Sequence, residues 1–119
     1  MLRKLFHSFV FAARGLGFTI STQRNFRIHL FALCSVVIAG FIFKLNIFEW
    51  LLVLGCSSLV IMAELFNTAI EELCNKVHPE KDSQIGKVKD ISAAAVLVAA
   101  IFALVTGLLI FGNKIIAQY

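Results

Sequence analysis

Apolar residues fall in three long runs along the chain, and short polar segments separate these runs. Residues 28–43 and 91–111 contain no Asp, Glu, Lys or Arg, and residues 47–75 are apolar over their first two thirds. A helix needs about 20 apolar residues to cross a bilayer, and flanking residues complete the shortest run. The pattern predicts an all-α membrane protein with transmembrane helices at about 27–44, 47–74 and 90–112.

The first 20 residues follow a different pattern, in which apolar residues recur at helical spacing and most basic residues lie on the opposite face. We expect residues 1–20 to form an amphipathic helix on the membrane surface. A signal peptide is the alternative interpretation. Arg14 argues against it because it interrupts the apolar stretch, and no A-x-A cleavage site follows.

The composition agrees with a single membrane domain of 119 residues, of which 60% are hydrophobic and 15% are charged. Soluble domains have about 25% charged residues. The net charge of +4 does not indicate nucleic-acid binding, because no basic stripe is interleaved with aromatic residues. The cysteines at 34, 56 and 74 form no C-x-x-C motif, so we interpret them as small apolar residues.

Lysine and arginine residues are distributed unevenly, and their distribution predicts the orientation of the chain. Nine of the eleven lie before the first span or in the polar segment 76–90, and only Lys44 and Lys114 lie on the other side. Positively charged segments stay in the cytoplasm. We therefore expect a cytoplasmic N-terminus and 76–90 loop, and an external hairpin and C-terminus.

Small residues recur every four positions in the third span, at Ala95, Ala99, Ala103 and Gly107. Such spacing lets helix backbones approach closely, within one subunit or between subunits. A generally high alanine content is the simpler interpretation. The packing interpretation, together with the short spans, predicts a homo-oligomer.

Acidic residues inside a membrane span are costly and usually functional. Glu64, Asn67 and Glu71 occupy positions i, i+3 and i+7, which place them on one face of a helix. Glu64 lies deeper and suits a general base that meets a lipid hydroxyl. Glu71 lies nearer water and suits a Mg²⁺ ligand beside nucleotide phosphates.

Lys89 and Asp90 precede the third span and are expected to return to the surface that carries Glu71. A lysine there can neutralise phosphate charge, with the aspartate orienting it, and Gly86 allows close approach of the backbone. These groups are the minimum for phosphoryl transfer. Alternatively, Glu71 and Glu72 are a solvated helix end, and Lys89 and Asp90 form a membrane anchor and helix cap. The competing function is a channel subunit or assembly factor, in which Glu64, Asn67 and Glu71 join helices by hydrogen bonds.

Three segments resemble one known family: RNFRIH (24–29), AELFNTAIEEL (63–73) and KVKDISAAAVLVAA (87–100). They are similar to the small prokaryotic diacylglycerol kinases, which include the undecaprenol kinases. The resemblance implies a homotrimer in the bacterial inner or plasma membrane, with active sites at subunit interfaces on the cytoplasmic side. It also implies transfer of the γ-phosphate of MgATP to the hydroxyl of diacylglycerol or undecaprenol.

The resemblance also implies a role for each matching residue. Glu64 matches the catalytic base, with Asn67 beside it. Glu71 matches a ligand of the metal that binds the nucleotide. The remaining nucleotide contacts implied are Lys89, Asp90, Glu80 and Gly86.

Two positions depart from the family pattern. The family usually has a metal-binding glutamate where this chain has Gln23, which keeps an oxygen but loses the charge. It often has aspartate where this chain has Asn75. Gln23 is therefore expected to support the metal site less strongly than a glutamate.

Overall fold

A computed structural model describes all residues 1–119 as four α-helices. Helix α1 runs over Leu2–Thr22, α2 over Arg24–Ile42, α3 over Ile47–Val77 and α4 over Ser83–Ala117. The last three are long and apolar enough to cross a membrane. The chain is therefore all-helical with three candidate spans, as the sequence predicts. A position of α1 on the membrane surface stays a prediction.

Helix α4 begins earlier than the sequence predicts, and the polar segment 76–90 is correspondingly shorter. Asp82 caps α4 by accepting hydrogen bonds from the backbone N–H groups of Gln84 and Ile85, at 3.1 and 3.0 Å. Residues 83–90 are therefore helical, and the connection between α3 and α4 is only 78–82. Interpreting all of 76–90 as a loop is wrong because this cap nucleates the helix ahead of Gly86.

Helix α3 is the centre of the fold and contacts α1, α2 and α4. At the junction of α1 and α2, Phe26 is wholly buried. The guanidinium Nη1 of Arg27 donates to the carbonyl oxygens of Ile20 and Ser21, at 2.7 and 3.3 Å. These bonds satisfy carbonyls at the C-terminus of α1, which would otherwise have no partner.

The hairpin between α2 and α3 is tightly built. Lys44 has a φ of 53°, and Asn46 and Glu49 form a reciprocal capping box at the start of α3. Lys114 of α4 contacts the Glu49 carboxylate at 3.1 Å. The end of α4 thus lies at the hairpin, and the 78–82 connection lies at the opposite end of α3.

Candidate active site

Glu64 is the most deeply buried acidic residue, with 3% of its surface exposed. It lies on the side of α3 that also buries Val53, Cys56, Val60 and Thr68. Its Oε1 is 3.3 Å from Nε2 of His29, which projects from α2. The Thr68 hydroxyl donates to the backbone carbonyl of Glu64 at 2.9 Å, and not to its carboxylate.

Asn67 and Glu71 form a pair one helical turn further along α3. Asn67 Nδ2 donates to Glu71 Oε1 at 3.2 Å, and Asn67 Oδ1 is buried without a partner. The spacing of Glu64, Asn67 and Glu71 places these groups along one side of the helix. An unpaired buried carbonyl oxygen is costly, so a ligand that donates to it would be favoured.

Lys89 of α4 lies beside the same end of α3. Its Nζ donates to Asn75 Oδ1 at 2.7 Å, and Asn75 follows Glu71 by one helical turn. Asp90 is exposed, and its side chain makes no hydrogen bond or ion pair, so Asn75 rather than Asp90 holds the lysine. The expectation that Asp90 orients Lys89 is not met, because the two neighbours point in different directions from α4.

A cleft of about 460 Å³ lies at the 78–82 connection and contains Lys89, Glu80 and Gly86 in its lining. The other lining residues are Pro79, Lys81, Asp82, Ser83 and Ile85. The structure thus brings together three of the residues predicted to bind the nucleotide. Their charges are mixed, which suits a ligand with both phosphates and hydrogen-bonding groups.

Gln23 is the single residue between α1 and α2; its backbone is extended and it is half-buried. Its backbone N–H donates to Thr19 O at 2.9 Å, and no hydrogen bond joins its side chain to Glu71. No group of three or more His, Cys, Asp or Glu side chains surrounds a common point. A single carboxylate at Glu71 fits Mg²⁺ that is held mainly by nucleotide phosphates and water, the usual arrangement for this ion.

The sequence did not predict the contact of His29 with Glu64, and it identified Asn75 only as a departure from the family pattern. His29 is a polar residue in the otherwise apolar part of α2, and Asn75 follows Glu71 by four residues on α3. Only the packing of α2 and α4 against α3 shows that they contact Glu64 and Lys89.

Two apolar grooves flank this polar region. The groove between α3 and α4 has a volume of about 740 Å³, and its polar lining residues are Asn67 and Ser92. The groove between α2 and α4, on α3, has a volume of about 440 Å³ and includes His29. Apolar grooves of this size between membrane helices are expected to be covered by lipid chains or by other helices.

Comparison with known proteins confirms the resemblance inferred from the sequence. Residues 10–111 match the family described as prokaryotic diacylglycerol kinase. An undecaprenol kinase of Bacillus subtilis (strain 168) is 39% identical over 114 residues, which cover 96% of this chain and 93% of that protein.

Two relatives named diacylglycerol kinase also match. The protein of Synechocystis sp. is 37% identical over 84% of this chain and 58% of its own length. The protein of Helicobacter pylori is 32% identical over 98% of this chain and 88% of its own length. The chain therefore belongs to the prokaryotic diacylglycerol kinase family.

Proposed function

We propose that this protein is an ATP-dependent lipid kinase that phosphorylates the hydroxyl of a membrane lipid. The observation that supports this most directly is the row of polar groups along the α3 face. It runs from the buried Glu64, through the Asn67–Glu71 pair, to Asn75 and Lys89. The row connects the apolar interior, where a lipid lies, with the polar end, where a nucleotide lies. Family membership favours this function over a channel subunit or assembly factor.

In the proposed reaction, Glu64 accepts the proton of the lipid hydroxyl while the lipid oxygen forms a bond to the γ-phosphorus. The bond between that phosphorus and the bridging oxygen breaks, and ADP leaves. Lys89 neutralises charge on the nucleotide phosphates at the polar end of the row, and Glu80 and Gly86 contact the nucleotide. Asn67 holds Glu71 in place. Glu71 would hold Mg²⁺, with Gln23 proposed as a weaker second ligand, and the ion when bound would shield the phosphate charges.

We further propose that the protein is a homotrimer in the bacterial inner or plasma membrane, with the 78–82 connection in the cytoplasm where ATP is available. Undecaprenol is the acceptor that we propose first, because the relative named undecaprenol kinase matches over nearly the whole of both chains. Diacylglycerol is the other acceptor, in keeping with the names of the remaining relatives.

The test is phosphorylation in mixed micelles with labelled ATP and Mg²⁺, with undecaprenol and diacylglycerol supplied separately and in competition. The wild-type protein should label one of these lipids, and Glu64→Gln should lower the rate by about 10²- to 10⁴-fold, as loss of a general base does. Glu72→Gln is the matched control, because Glu72 is an exposed carboxylate on the same helix. Wild-type protein that labels neither lipid, or a Glu64→Gln variant as active as wild type, would refute the proposal.

A further inference from the structure

We infer that His29 is a positioning residue that holds the Glu64 carboxylate in its reactive orientation. The inference rests on the proposed function, since it assumes that Glu64 is the base. Its structural basis is the 3.3 Å contact between Nε2 of His29 and Oε1 of Glu64. The two side chains come from different helices, α2 and α3, so the contact depends on how these helices pack.

Glu64 has few other partners for its carboxylate. Its side chain is 4% exposed, so bulk water is largely excluded from it. The Thr68 hydroxyl is directed to a backbone carbonyl, and the Asn67 amide donates to Glu71. His29 is therefore the one side chain whose polar group contacts this carboxylate.

A carboxylate in a span needs such a donor for two reasons. Removal from water leaves its oxygens unsatisfied, at a considerable cost in free energy. In addition, the glutamate side chain rotates about several single bonds, and a base reacts efficiently only when it is held in line with the proton it removes. Because Nε2 of His29 engages Oε1, Oε2 is left to accept the proton of the lipid hydroxyl.

His29 lies at the edge of the buried region, far from the proposed nucleotide contacts. Its side chain is 25% exposed and lines the groove of about 440 Å³ between α2 and α4. Lys89 and its partner Asn75 lie at the end of α3, more than two helical turns from Glu64. A change at His29 should therefore alter the chemical step and leave nucleotide binding nearly intact.

Three substitutions separate positioning from packing. His29→Gln keeps an N–H donor at about the reach of Nε2, whereas His29→Asn is polar but shorter and His29→Leu has no donor. His7→Leu is the matched control, because His7 is an exposed histidine on α1. Steady-state kinetics with saturating lipid would give kcat and the KM for ATP, and circular dichroism in detergent would check helix content.

We expect kcat to fall by about 10- to 100-fold in His29→Asn and His29→Leu, the range expected for a misplaced catalytic group. The KM for ATP should stay within about twofold of wild type in both. His29→Gln should recover most of kcat, and His7→Leu should be unchanged. If His29→Leu fails to fold, the comparison of His29→Gln with His29→Asn still decides.

Equal kcat in wild type and His29→Asn, or a loss that appears only in the KM for ATP, would overturn the inference. Equal losses in His29→Asn and His29→Gln would also overturn it. Failure of the proposed function has a different result, because the wild-type protein itself would then phosphorylate no lipid.

Discussion

Each partnered carboxylate of α3 takes its hydrogen bonds from a different source. Glu64 contacts His29 of α2, and Glu71 accepts a hydrogen bond from Asn67 of its own helix. Glu49 accepts a hydrogen bond from the backbone N–H of Asn46 and contacts Lys114 of α4. The three carboxylates thus have separate partners. We therefore expect substitutions at these sites to have separable effects on the chemical step, the nucleotide and the fold.

The contact between Asn75 and Lys89 leads to a prediction about ATP. Asn75→Ala removes the oxygen that accepts from Lys89 Nζ at 2.7 Å, so the lysine loses the anchor that keeps it near the cleft. The KM for ATP should rise about three- to tenfold, the size of one hydrogen bond to a charged group at a partly exposed site. The KM for the lipid should not change.

Asn75→Asp is the control, because a carboxylate oxygen can accept the same hydrogen bond. It should keep the KM for ATP closer to wild type than Asn75→Ala does. Initial rates over a range of ATP concentrations would measure both variants. A similar KM in Asn75→Ala and wild type would show that the contact does not position Lys89.

Helical periodicity was sufficient to predict which residues share the polar face of α3, since the offsets of Glu64, Asn67 and Glu71 are fixed by the helix itself. It could not predict that His29 meets Glu64 or that Asn75 replaces Asp90 as the partner of Lys89. These contacts depend on the rotation of α2 and α4 about their axes, and local sequence spacing does not encode that rotation.

The number and positions of the helices were predicted from the sequence, but the start of α4 was predicted too late in the chain. The polar composition of 76–90 predicted a loop, and Gly86 lies within the helix that forms there, at a cost of only about 1 kcal/mol. The Asp82 cap and the apolar packing of α4 on α3 compensate for it. In the sequence, Asp82 is one of several polar residues in a segment whose composition is typical of a loop.

The α2–α3 hairpin depends on one close approach between elements. A Cβ added at Gly40 would lie 2.8 and 2.9 Å from Cζ2 and Cζ3 of Trp50, and closer still to Cη2. Trp50 also packs against the cluster of Leu45, Val53 and Ile110. The ring therefore has little space to move, and overpacking such a site is destabilising.

We expect Gly40→Ala to lower the free energy of unfolding by about 1–3 kcal/mol. Gly55→Ala is the matched control, because a Cβ there meets nothing within 4 Å. It should raise the free energy of unfolding by up to about 1 kcal/mol, the difference in helix propensity between glycine and alanine. Reversible unfolding in mixed detergent micelles, followed by circular dichroism, would measure both. Equal stability of the two variants would contradict the close packing of Gly40 on Trp50.

The molecule as a whole buries 13 of its 119 residues, so the isolated chain leaves most of its apolar side chains uncovered. A bilayer and neighbouring subunits provide the missing contacts in the proposed trimer. Helix α4, with 35 residues, is about 50 Å long by its rise per residue and exceeds the roughly 30 Å hydrocarbon core. We expect its first turns, which carry Lys87, Lys89 and Asp90, to project beyond the membrane, where the cleft of Lys89, Glu80 and Gly86 could meet a water-soluble nucleotide.

The ion pair between Glu49 and Lys114 puts the C-terminus and the α2–α3 hairpin at one end of the molecule. The 78–82 connection lies at the other end, with the cleft. If ATP is the phosphate donor, this second end must face the cytoplasm, in agreement with the charge distribution. The orientation can be tested with single cysteines at Lys81 and Tyr119, introduced after Cys34, Cys56 and Cys74 are replaced by alanine.

In intact bacterial spheroplasts, Tyr119→Cys should react with a membrane-impermeant maleimide, whereas Lys81→Cys should react only after lysis. Both side chains are exposed in the fold, so a difference between them reports the side of the membrane and not burial within the subunit. If Lys81→Cys is labelled in intact spheroplasts and Tyr119→Cys is protected, the orientation of the chain is opposite to the one proposed. That result would place the cleft away from cytoplasmic ATP, and the kinase mechanism could not operate as proposed.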